Sequence, residues 1–378
     1  MESMVEGTVD PELIRAMAKE AGFALCRFAE AGVAPHAEAF ESWLARGAHG
    51  TMTYLERTRQ ARVQPRAMLP DTRTVIVLGS PFASRGCSLP NWREELRGRI
   101  AAYALGADYH DVIRWRLRNF CQRIKSVYPN AVCYAEVDTG PVLERDWAWA
   151  SGVGWFGKNT NILNPHFGSL FFLAVVMTNL EVPPDAQVPD RCGRCVRCIP
   201  ACPTGALDGD YGLDARRCIS YWTIEHRGSI PQRVRATLGE WVFGCDICQD
   251  VCPWNEKKAR RLWLEPSTEL HPFLPELLSL TDEEFRQRYR RTALWRAKRE
   301  GIARNAAVVL GNSGNPDAVP FLARALASDP SAVVRAHAAW ALGQIGTTAA
   351  LDALLHHLRR ETDPTVIAET QGALRAAA

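Results

Sequence analysis

The sequence CGRCVRCIPACP, at residues 192–203, spaces four cysteines as C-x2-C-x2-C-x3-C and ends on a proline. This spacing is typical of bacterial ferredoxins, in which three cysteines hold one four-iron cluster and the fourth reaches across to a second. A second run, CDICQDVCP at residues 245–253, has the same ending but carries Val242 where its first cysteine would stand. Cys218, between the runs, can supply the missing thiolate. We therefore predict two 4Fe–4S clusters and an electron-transfer role.

The predicted clusters exchange ligands, because the last cysteine of each run crosses to the other cluster. The ligands are Cys192, Cys195, Cys198 and Cys252 for the first cluster, and Cys202, Cys218, Cys245 and Cys248 for the second. Each set offers four thiolates, the soft ligands that iron–sulfur clusters prefer. Two structural zinc ions would also use eight cysteines, but zinc sites usually consist of separated C-x2-C pairs. The iron–sulfur interpretation is favoured over zinc, and more strongly over disulfides.

The composition is that of a globular chain with two or three domains: 378 residues, 47% hydrophobic and 23% charged. A net charge of +3 argues against general polyanion binding, so charge has to be considered locally. The N-terminus lacks a secretory signal, and the longest apolar run, residues 170–177, is too short to span a bilayer. Thiolate-held clusters suit a reducing compartment, as do the unpaired core cysteines Cys26, Cys87, Cys121 and Cys133. We expect a cytoplasmic monomer without membrane contact.

Three regions differ in their patterns. Residues 1–182 are predicted to form an α/β domain, 183–258 a ferredoxin-like two-cluster module, and 259–378 an all-α HEAT-like repeat domain. In the first region, helical spacing predicts helices at residues 11–21, 35–45 and 113–127, and apolar runs predict strands at 72–79, 131–137 and 170–178, the last in a central position. The short segments of the cysteine module would fold around the clusters rather than around a large apolar core.

The C-terminal region repeats. AAVVLGNSG at residues 306–314 corresponds to AAWALGQIG at residues 338–346, and a third copy would begin near residue 373. Paired helices at this period resemble HEAT-like repeats. Because two copies are few, we expect this tail to dock on the rest of the protein.

The start of the tail is strongly basic. Residues 286–304 contain eight arginines and lysines against Glu300 alone, with Tyr289 and Trp295 interleaved. Basic and aromatic residues beside a repeat platform favour nucleic-acid binding. A plain helical cap with a solvated charged face is the alternative.

Two loops of the α/β region could carry chemistry. GVGWFGKN, residues 152–159, nearly matches a phosphate loop, but Asn159 stands where the motif needs Ser or Thr for magnesium, so nucleotide hydrolysis is disfavoured. Its amides could instead face a large polar cofactor. The second loop begins at Asp138, where a predicted strand ends, close to several tryptophans. A carboxylate in such a pocket could keep a raised pKa and donate a proton, although a solvated turn residue is the alternative.

Together with both cysteine runs, four stretches resemble the epoxyqueuosine reductase family. They are YALGADYH at 103–110, DTGPVLER at 138–145, GWFGKN at 154–159 and RCISYWTIEHRG at 217–228. The similarity extends from the N-terminal region through the HEAT-like tail. This combination is more specific than the ferredoxin motif alone.

The resemblance implies a nitroreductase-like domain that binds cobalamin close to one cluster. Enzymes of this family remove the epoxide oxygen from epoxyqueuosine at wobble position 34 of tRNA, which is the last step of queuosine biosynthesis. Electrons would come from reduced flavodoxin or ferredoxin. The modified base must leave the anticodon stack to be reached, as base-modifying enzymes generally require.

The resemblance also implies roles for individual residues. Asp138 matches the proton donor of the family, and Arg145 would steady either the substrate or Asp138. The expected cobalamin contacts are Arg62, Tyr103, Arg145, Lys158, Asn159, Ser220 and Tyr221. The expected tRNA contacts are Arg227, Lys257, Arg288, Arg291 and Lys298.

Two other functional classes stay open at this point. A reductive dehalogenase would use the same cofactors, but the basic HEAT-like tail and the missing twin-arginine export signal argue against it. A non-catalytic electron-transfer scaffold would have clusters and a protein-binding repeat, and it would bind no corrinoid.

Overall fold

A computed structural model of the chain describes residues 9–82, 89–256 and 269–377. The strands of the described chain are β1 (Leu25–Glu30), β2 (Thr74–Pro81), β3 (Arg99–Ile100), β4 (Cys133–Glu136), β5 (Trp155–Phe156), β6 (Ile162–Leu163), β7 (Phe171–Thr178) and β8 (Trp241–Phe243). The N-terminal region is built on a four-stranded antiparallel sheet in the order β1-β2-β7-β4.

The predicted strands are confirmed as β2, β4 and β7, and β7 is an inner strand of the sheet. Every residue of β2 is buried, which explains its continuous run of apolar residues. Edge strand β1 escaped prediction, since its sequence LCRFAE mixes polar and apolar residues without a clear alternation. The sheet is antiparallel throughout.

Helices cover both faces of this sheet. They are α1 (Pro11–Glu20), α2 (Ala37–Ala45), α3 (Tyr54–Arg57), α4 (Arg59–Val63), α5 (Tyr109–Val127) and α6 (Glu144–Ala150). Helix α5 buries a stripe at helical spacing that includes Ile113, Leu117 and Phe120. The three predicted helices correspond to α1, α2 and α5. Helix α6 packs on the opposite face, where Trp147 is fully buried.

The α-helices of the cysteine module, as far as residue 256, are all short: α7 (Cys198–Ala201), α8 (Gln232–Arg235), α9 (Ile247–Asp250) and α10 (Pro253–Glu256). A π-helical turn, Tyr221–Glu225, lies between its two cysteine runs. Strand β8 of this module pairs in parallel with β3 of the N-terminal region. The other side of β3 bonds to the tail, because the N–H groups of Gly98 and Ile100 donate to the carbonyls of Pro272 and Leu270.

The tail is helical, as predicted. Its helices are α11 (Leu274–Ser279), α12 (Asp282–Tyr289), α13 (Lys298–Ser313), α14 (Val319–Ser328), α15 (Ala332–Ile345), α16 (Thr348–Leu358) and α17 (Pro364–Ala377). Helices α13 and α15 both end at a left-handed glycine, Gly314 and Gly346, each with φ of 65°. A Cβ added to Gly311 would lie 2.8 Å from the Cα of Ala341, so the repeats pack with close backbone contact.

The tail docks on the cysteine module, as expected from its small number of repeats. Asn305 on α13 donates to the carbonyls of Thr223 and Val242, both at 2.9 Å. Arg304 donates to the carbonyls of Trp222, His226 and Gly228 at 2.8–3.0 Å. Residues 219–244 thus share a core with the tail. The predicted domain boundaries at residues 182 and 258 stay predictions.

Candidate active site and cysteine centres

Asp138 occupies the loop between β4 and α6. Its φ of 55° lies in the left-handed region, which few residues other than glycine adopt. Its backbone N–H donates to Oε1 of Glu144, the first residue of α6, at 2.5 Å. Its side chain is 57% exposed. The loop therefore presents a carboxylate to an open space while Glu144 holds its backbone.

The first turn of α5 supplies the partners of this carboxylate. The Tyr109 hydroxyl donates to Asp138 Oδ2 at 2.8 Å, and His110 Nε2 is 3.1 Å from the same oxygen. His110 Nδ1 lies 2.6 Å from Oδ1 of Asp108, which also caps α5. Asp108, His110 and Asp138 form a chain along which a proton can move.

The electrostatics of this chain correct the expected raised pKa of Asp138. Desolvation by the surrounding side chains raises the pKa of Asp138 even though its own side chain is more than half exposed, but hydrogen bonds from His110 and Tyr109 outweigh it and lower the pKa below its usual range. Burial lowers the pKa of His110, but its hydrogen bonds to Asp108 and Asp138 prevail and raise it to about 9. Near neutral pH the proton therefore resides on His110, and Asp138 is its acceptor.

The raised carboxyl pKa belongs instead to Glu144. Burial, and then the negative charge of Asp138, raise the pKa of Glu144 to about 8. The loop thus holds two carboxyl groups in different states, one ionised and one protonated near neutral pH. The different surroundings of the two carboxyl groups move their pKa values apart, as they do in enzymes that use paired carboxyl groups.

Side chains from several segments surround the space in front of Asp138. Burial lowers the pKa of Arg62 and Arg145 and raises that of Tyr103, and the charge of Asp138 acts on all three. Arg62 donates to Thr58 and to the Val142 carbonyl. The structure thus brings three of the expected cobalamin contacts to the same pocket as the expected proton donor.

The pocket is bordered by the tail through Arg296. Its guanidinium makes two bonds to the Glu225 carboxylate, at 3.0 and 2.6 Å, and lies 5.5 Å from the ring centroid of Tyr54. Arg227 donates to the backbone carbonyl of Arg296. All three regions of the chain therefore meet at the pocket entrance.

The cysteines of the first predicted set converge. Cys192, Cys195, Cys198 and Cys252 line one cavity together with Lys158 and Trp254. Burial raises the pKa of Cys252, and the neighbouring thiolate charges of the other three raise it further. Four thiols around one cavity fit the donor set that a 4Fe–4S cluster requires.

The second predicted set also gathers, and unlike the first it has no exposed cysteine. Burial raises the pKa of Cys248, and the charges of Cys218 and Cys202 are among the contributors. Burial raises the pKa of Cys245, and the charges of Cys248 and Cys218 raise it further. Cys198 of the first set also acts on Cys248, so the two sets are neighbours. Within the described ranges, no three His, Cys, Asp or Glu side chains are grouped to hold a single metal ion.

Tyr103 connects the second set to the Asp138 pocket. A Cβ added to Gly244, which precedes Cys245, would lie 3.6 Å from the Tyr103 ring. The Asp246 carboxylate accepts the Ala102 N–H at 2.7 Å, which joins the two loops. The ring centroid of Tyr103 is 6.0 Å from that of Tyr109. The second cysteine set is therefore adjacent to the pocket.

Lys158 and Asn159 contact the cysteine module. Lys158 Nζ donates to the Gly193 carbonyl at 2.9 Å, and Asn159 Nδ2 donates to the Cys248 carbonyl at 3.3 Å. A Cβ on Gly154 would lie 2.1 Å from the Leu163 carbonyl oxygen, so this glycine permits close packing within the chain. These contacts of the loop hold the chain together. Helix α6 precedes the loop, whereas a phosphate loop follows a strand.

Ser220 and Tyr221 lie beside Cys218. A hydrogen bond from the Ser220 side chain is among the influences that lower the pKa of Cys218, although burial raises it overall. The Tyr221 hydroxyl accepts from the Thr51 N–H at 2.9 Å and bonds to the Thr51 side chain. Tyr221 therefore joins the second cysteine set to the N-terminal region.

The basic tail carries less uncommitted charge than its sequence suggests. Arg299 is buried with Asp329, and Arg288 pairs with Glu276. Lys298 lies 4.5 Å above the Trp295 ring. Of the eight basic residues at 286–304, three form no ion pair within the described part of the chain and are exposed or near the surface: Arg290, Arg291 and Lys298. Lys257, also expected to contact tRNA, is outside the described residues.

Sequence reasoning missed His110, Tyr54, Glu225 and Arg296 as parts of the site. His110 stood within the stretch YALGADYH, but its link to Asp138 depends on a pairing of α5 with β4 that no local pattern reveals. Arg296 was counted as general tail charge. Its carboxylate partner lies in another region of the chain.

Family models match three parts of the chain: an epoxyqueuosine reductase QueG model over residues 62–139, a 4Fe–4S double cluster binding domain over 191–255, and HEAT repeats over 290–375. The epoxyqueuosine reductase of Xanthomonas campestris is 37% identical over 88% of this chain and 95% of its own length. That of Bacillus subtilis is 36% identical over 80% of each chain.

Solved structures agree. A selenomethionine-labelled epoxyqueuosine reductase has a TM-score of 0.90 and 33% identity, covering 97% of this chain and 98% of that chain. An epoxyqueuosine reductase with an epoxyqueuosine-modified stem loop of tyrosine tRNA has a TM-score of 0.89 and 32% identity over the same shares. No helix in the described part of this chain combines the length and apolarity needed to cross a membrane.

Proposed function

The chain belongs to the epoxyqueuosine reductase family, and on that premise we propose that it reduces epoxyqueuosine to queuosine at the wobble position of tRNA in the cytoplasm. The observation that carries this proposal is the position of Asp138 in a pocket that adjoins the second cysteine set. A proton-delivering group and an electron-delivering centre thus face the same space. Reductive removal of an oxygen needs both.

Two 4Fe–4S clusters and cobalamin are the proposed cofactors. The convergence of the two thiol sets supports the clusters. A large polar redox group is supported by the polar side chains Arg62, Arg145 and Tyr103, on all of which the charge of Asp138 acts. Tyr103 is also next to the loop of the second set. When bound, the clusters supply single electrons and the corrinoid supplies the reducing metal centre. Ser220, Tyr221, Lys158 and Asn159 stay proposed contacts at the border with the cysteine module.

We assign the proton supply to His110 and Asp138. Opening an epoxide to an alkene takes two electrons and two protons and releases water. Asp138 accepts a proton from His110 Nε2, at 3.1 Å, and passes it to the departing oxygen. Asp108 holds the other imidazole nitrogen and so favours the charged ring. Arg145 is the proposed support of the substrate beside this chain.

The tail is the proposed tRNA platform. The uncommitted charges of Arg291 and Lys298 and the rim residue Arg227 are available for phosphate contacts. Arg288 is a further proposed contact if phosphate competes with Glu276 for it. The modified base must leave the anticodon stack to reach Asp138, because the carboxylate lies inside a pocket.

The test is anaerobic reconstitution followed by turnover. The protein should carry about eight irons with labile sulfide, bind cobalamin with a change in its absorption spectrum, and convert epoxyqueuosine-containing tRNA to queuosine when a reductant is supplied. Stoichiometric zinc without sulfide would refute the clusters. Clusters without corrinoid binding would make the chain an electron-transfer scaffold.

The ligand assignment has its own test. Cys218→Ala should remove the cluster of the second set, leaving about four irons. Cys121→Ala, outside both sets, should keep about eight. Equal iron contents and unchanged cluster spectra in the two variants would contradict the assignment of Cys218.

A further inference from the structure

We infer that the electron carrier docks on the surface around Cys195, a patch formed by Arg191, Arg194, Val196 and Arg197 that we name the carrier face. The inference rests on the proposed function, in which electrons reach the pocket through both cysteine sets. The occupant is a one-electron carrier protein with an acidic surface. Its identity as flavodoxin or ferredoxin is left to the experiment.

The two cysteine sets differ in their access to solvent. Cys195 of the first set is exposed, whereas Cys202, Cys218, Cys245 and Cys248 of the second set are all partly buried. Within the first set, Cys192 and Cys198 are also partly buried and Cys252 is buried, so Cys195 is the point of access. The loop that carries Cys245 contacts the Asp138 side of the chain, because Gly244 is next to the Tyr103 ring and Asp246 accepts the Ala102 N–H. An external protein can therefore approach the first set, whereas the second is adjacent to the place of reduction. Electrons enter at the first set and leave from the second.

The carrier face is positively charged. Arg191 and Arg194 form no ion pair within the described part of the chain, and both are exposed. Arg197 pairs with Glu256 at 2.8 Å, with both side chains at least half exposed. The neighbouring carboxylate in sequence, Asp190, accepts from the Cys192 N–H and from the Tyr211 hydroxyl. The face thus presents two uncompensated arginines beside the exposed cysteine.

The same patch contains an exposed apolar residue. Val196 is 48% exposed and follows Cys195 directly. Small, weakly apolar contacts surrounded by charge are typical of transient electron-transfer complexes, which must dissociate after each transfer. The transfer itself forms and breaks no bond: the carrier loses one electron and the first cluster gains it. Charge complementarity brings the partners together quickly, and its effect weakens as salt screens it.

The experiment uses the full-length, cluster-loaded protein and reduced flavodoxin as the probe, with ferredoxin in a parallel arm. The variant is Arg191→Glu with Arg194→Glu, and the control is Arg359→Glu with Arg360→Glu, two exposed tail arginines giving the same change of charge. Carrier affinity is measured by titration at two salt concentrations. Cluster reduction is followed by stopped-flow absorbance with the carrier and, separately, with dithionite.

The carrier-face variant should bind at least about tenfold more weakly at low salt and lose most of the salt dependence. Its reduction by dithionite should equal that of the unchanged protein, and its tRNA affinity should be unchanged. Arg194→Gln, which removes the positive charge without introducing a negative one beside the cluster, should give a smaller effect in the same direction. Iron content checks that every variant is loaded.

Equal carrier affinities for the face variant and the tail control would overturn the inference. A loss of tRNA affinity with unchanged carrier affinity would also overturn it and would assign the arginines to phosphate. Failure of the unchanged protein to convert its tRNA substrate with dithionite would instead refute the proposed function. The two failures are therefore distinguishable.

Discussion

Arg304 and Asp138 are charged residues in two regions of this chain that use their hydrogen bonds in opposite ways. At the junction of tail and cysteine module, Arg304 is 2% exposed, and its guanidinium nitrogens bond to three backbone carbonyls and to Asn305. In the pocket, the side chain of Asp138 is 57% exposed, and the recorded bonds to its carboxylate all reach Oδ2. Its backbone also adopts a left-handed conformation.

The difference separates structural from chemical charge. A buried cation whose donors are all satisfied stabilises one arrangement of its neighbours. A carboxylate with an uncommitted oxygen, held in place by a less favourable backbone conformation, is available to a substrate. Substitution at Arg304 should therefore affect stability, and substitution at Asp138 should affect turnover.

The strongest test of this contrast is Asp138→Asn. Loss of a general acid typically lowers a rate by about a hundredfold to ten-thousandfold, so single turnover should fall within that range. Cobalamin and tRNA binding should persist, because the amide keeps the size of the side chain. Asp317→Asn, on the tail, is the matched control. Near-normal single-turnover rates for the Asp138→Asn variant would transfer the role to another group or to water.

The opposite side of the contrast is tested by Arg304→Leu. The substitution leaves the carbonyls of Trp222, His226 and Gly228 buried without their donor, at a cost of about 3 kcal/mol of unfolding free energy. Arg324→Leu, at an exposed position, should change it by less than about 0.5 kcal/mol. Urea unfolding followed by tryptophan fluorescence measures both. Equal midpoints would show that the junction does not depend on Arg304.

A smaller effect is expected at the tail, where charges are paired or exposed. Reversing Arg288, Arg291 and Lys298 to Glu should weaken tRNA binding, and its salt dependence should decrease because fewer counterions are released. Cluster and cobalamin content should not change. The control reverses Arg324, Arg359 and Arg360. If affinities and salt slopes matched those of the unchanged chain, the tail would be a structural cap.

The pH dependence should show the smallest effect. His110, with a pKa of about 9, is protonated near neutral pH and loses its proton as pH rises through 9. Single-turnover rates should therefore be level near pH 7 and fall by up to about tenfold per unit above 9. His110→Asn should lower the plateau and remove this descent. A descent unchanged in the His110→Asn variant would contradict the assignment to His110, and one that begins near pH 8 would assign it to Glu144, whose pKa is about 8.

Sequence reasoning succeeded where function depends on local spacing. The two cysteine sets follow from spacing within short runs, and the structure gathers both. The pKa of Asp138 could not be predicted, because its sign depends on Tyr109 and His110, nearly thirty positions earlier. The number of tail charges free to bind tRNA was also overestimated, because their partners could not be identified from sequence. The partners of Arg296 and Arg299 are distant in sequence, and only folding shows that these charges are neutralised.

The short strand β3 has a consequence for how the protein is made. Strand β3 bonds on one side to β8 and on the other to the start of the tail. Arg97, just before β3, donates to the carbonyl of His271, which is 174 residues further along the chain. A ribosome that adds 5–20 residues per second needs roughly 10 to 35 s to cover that distance. During this interval the N-terminal region exists without the two segments that bond to strand β3, which are β8 and the start of the tail. The nascent chain therefore cannot complete the contacts of its first region before the start of the last one has been made.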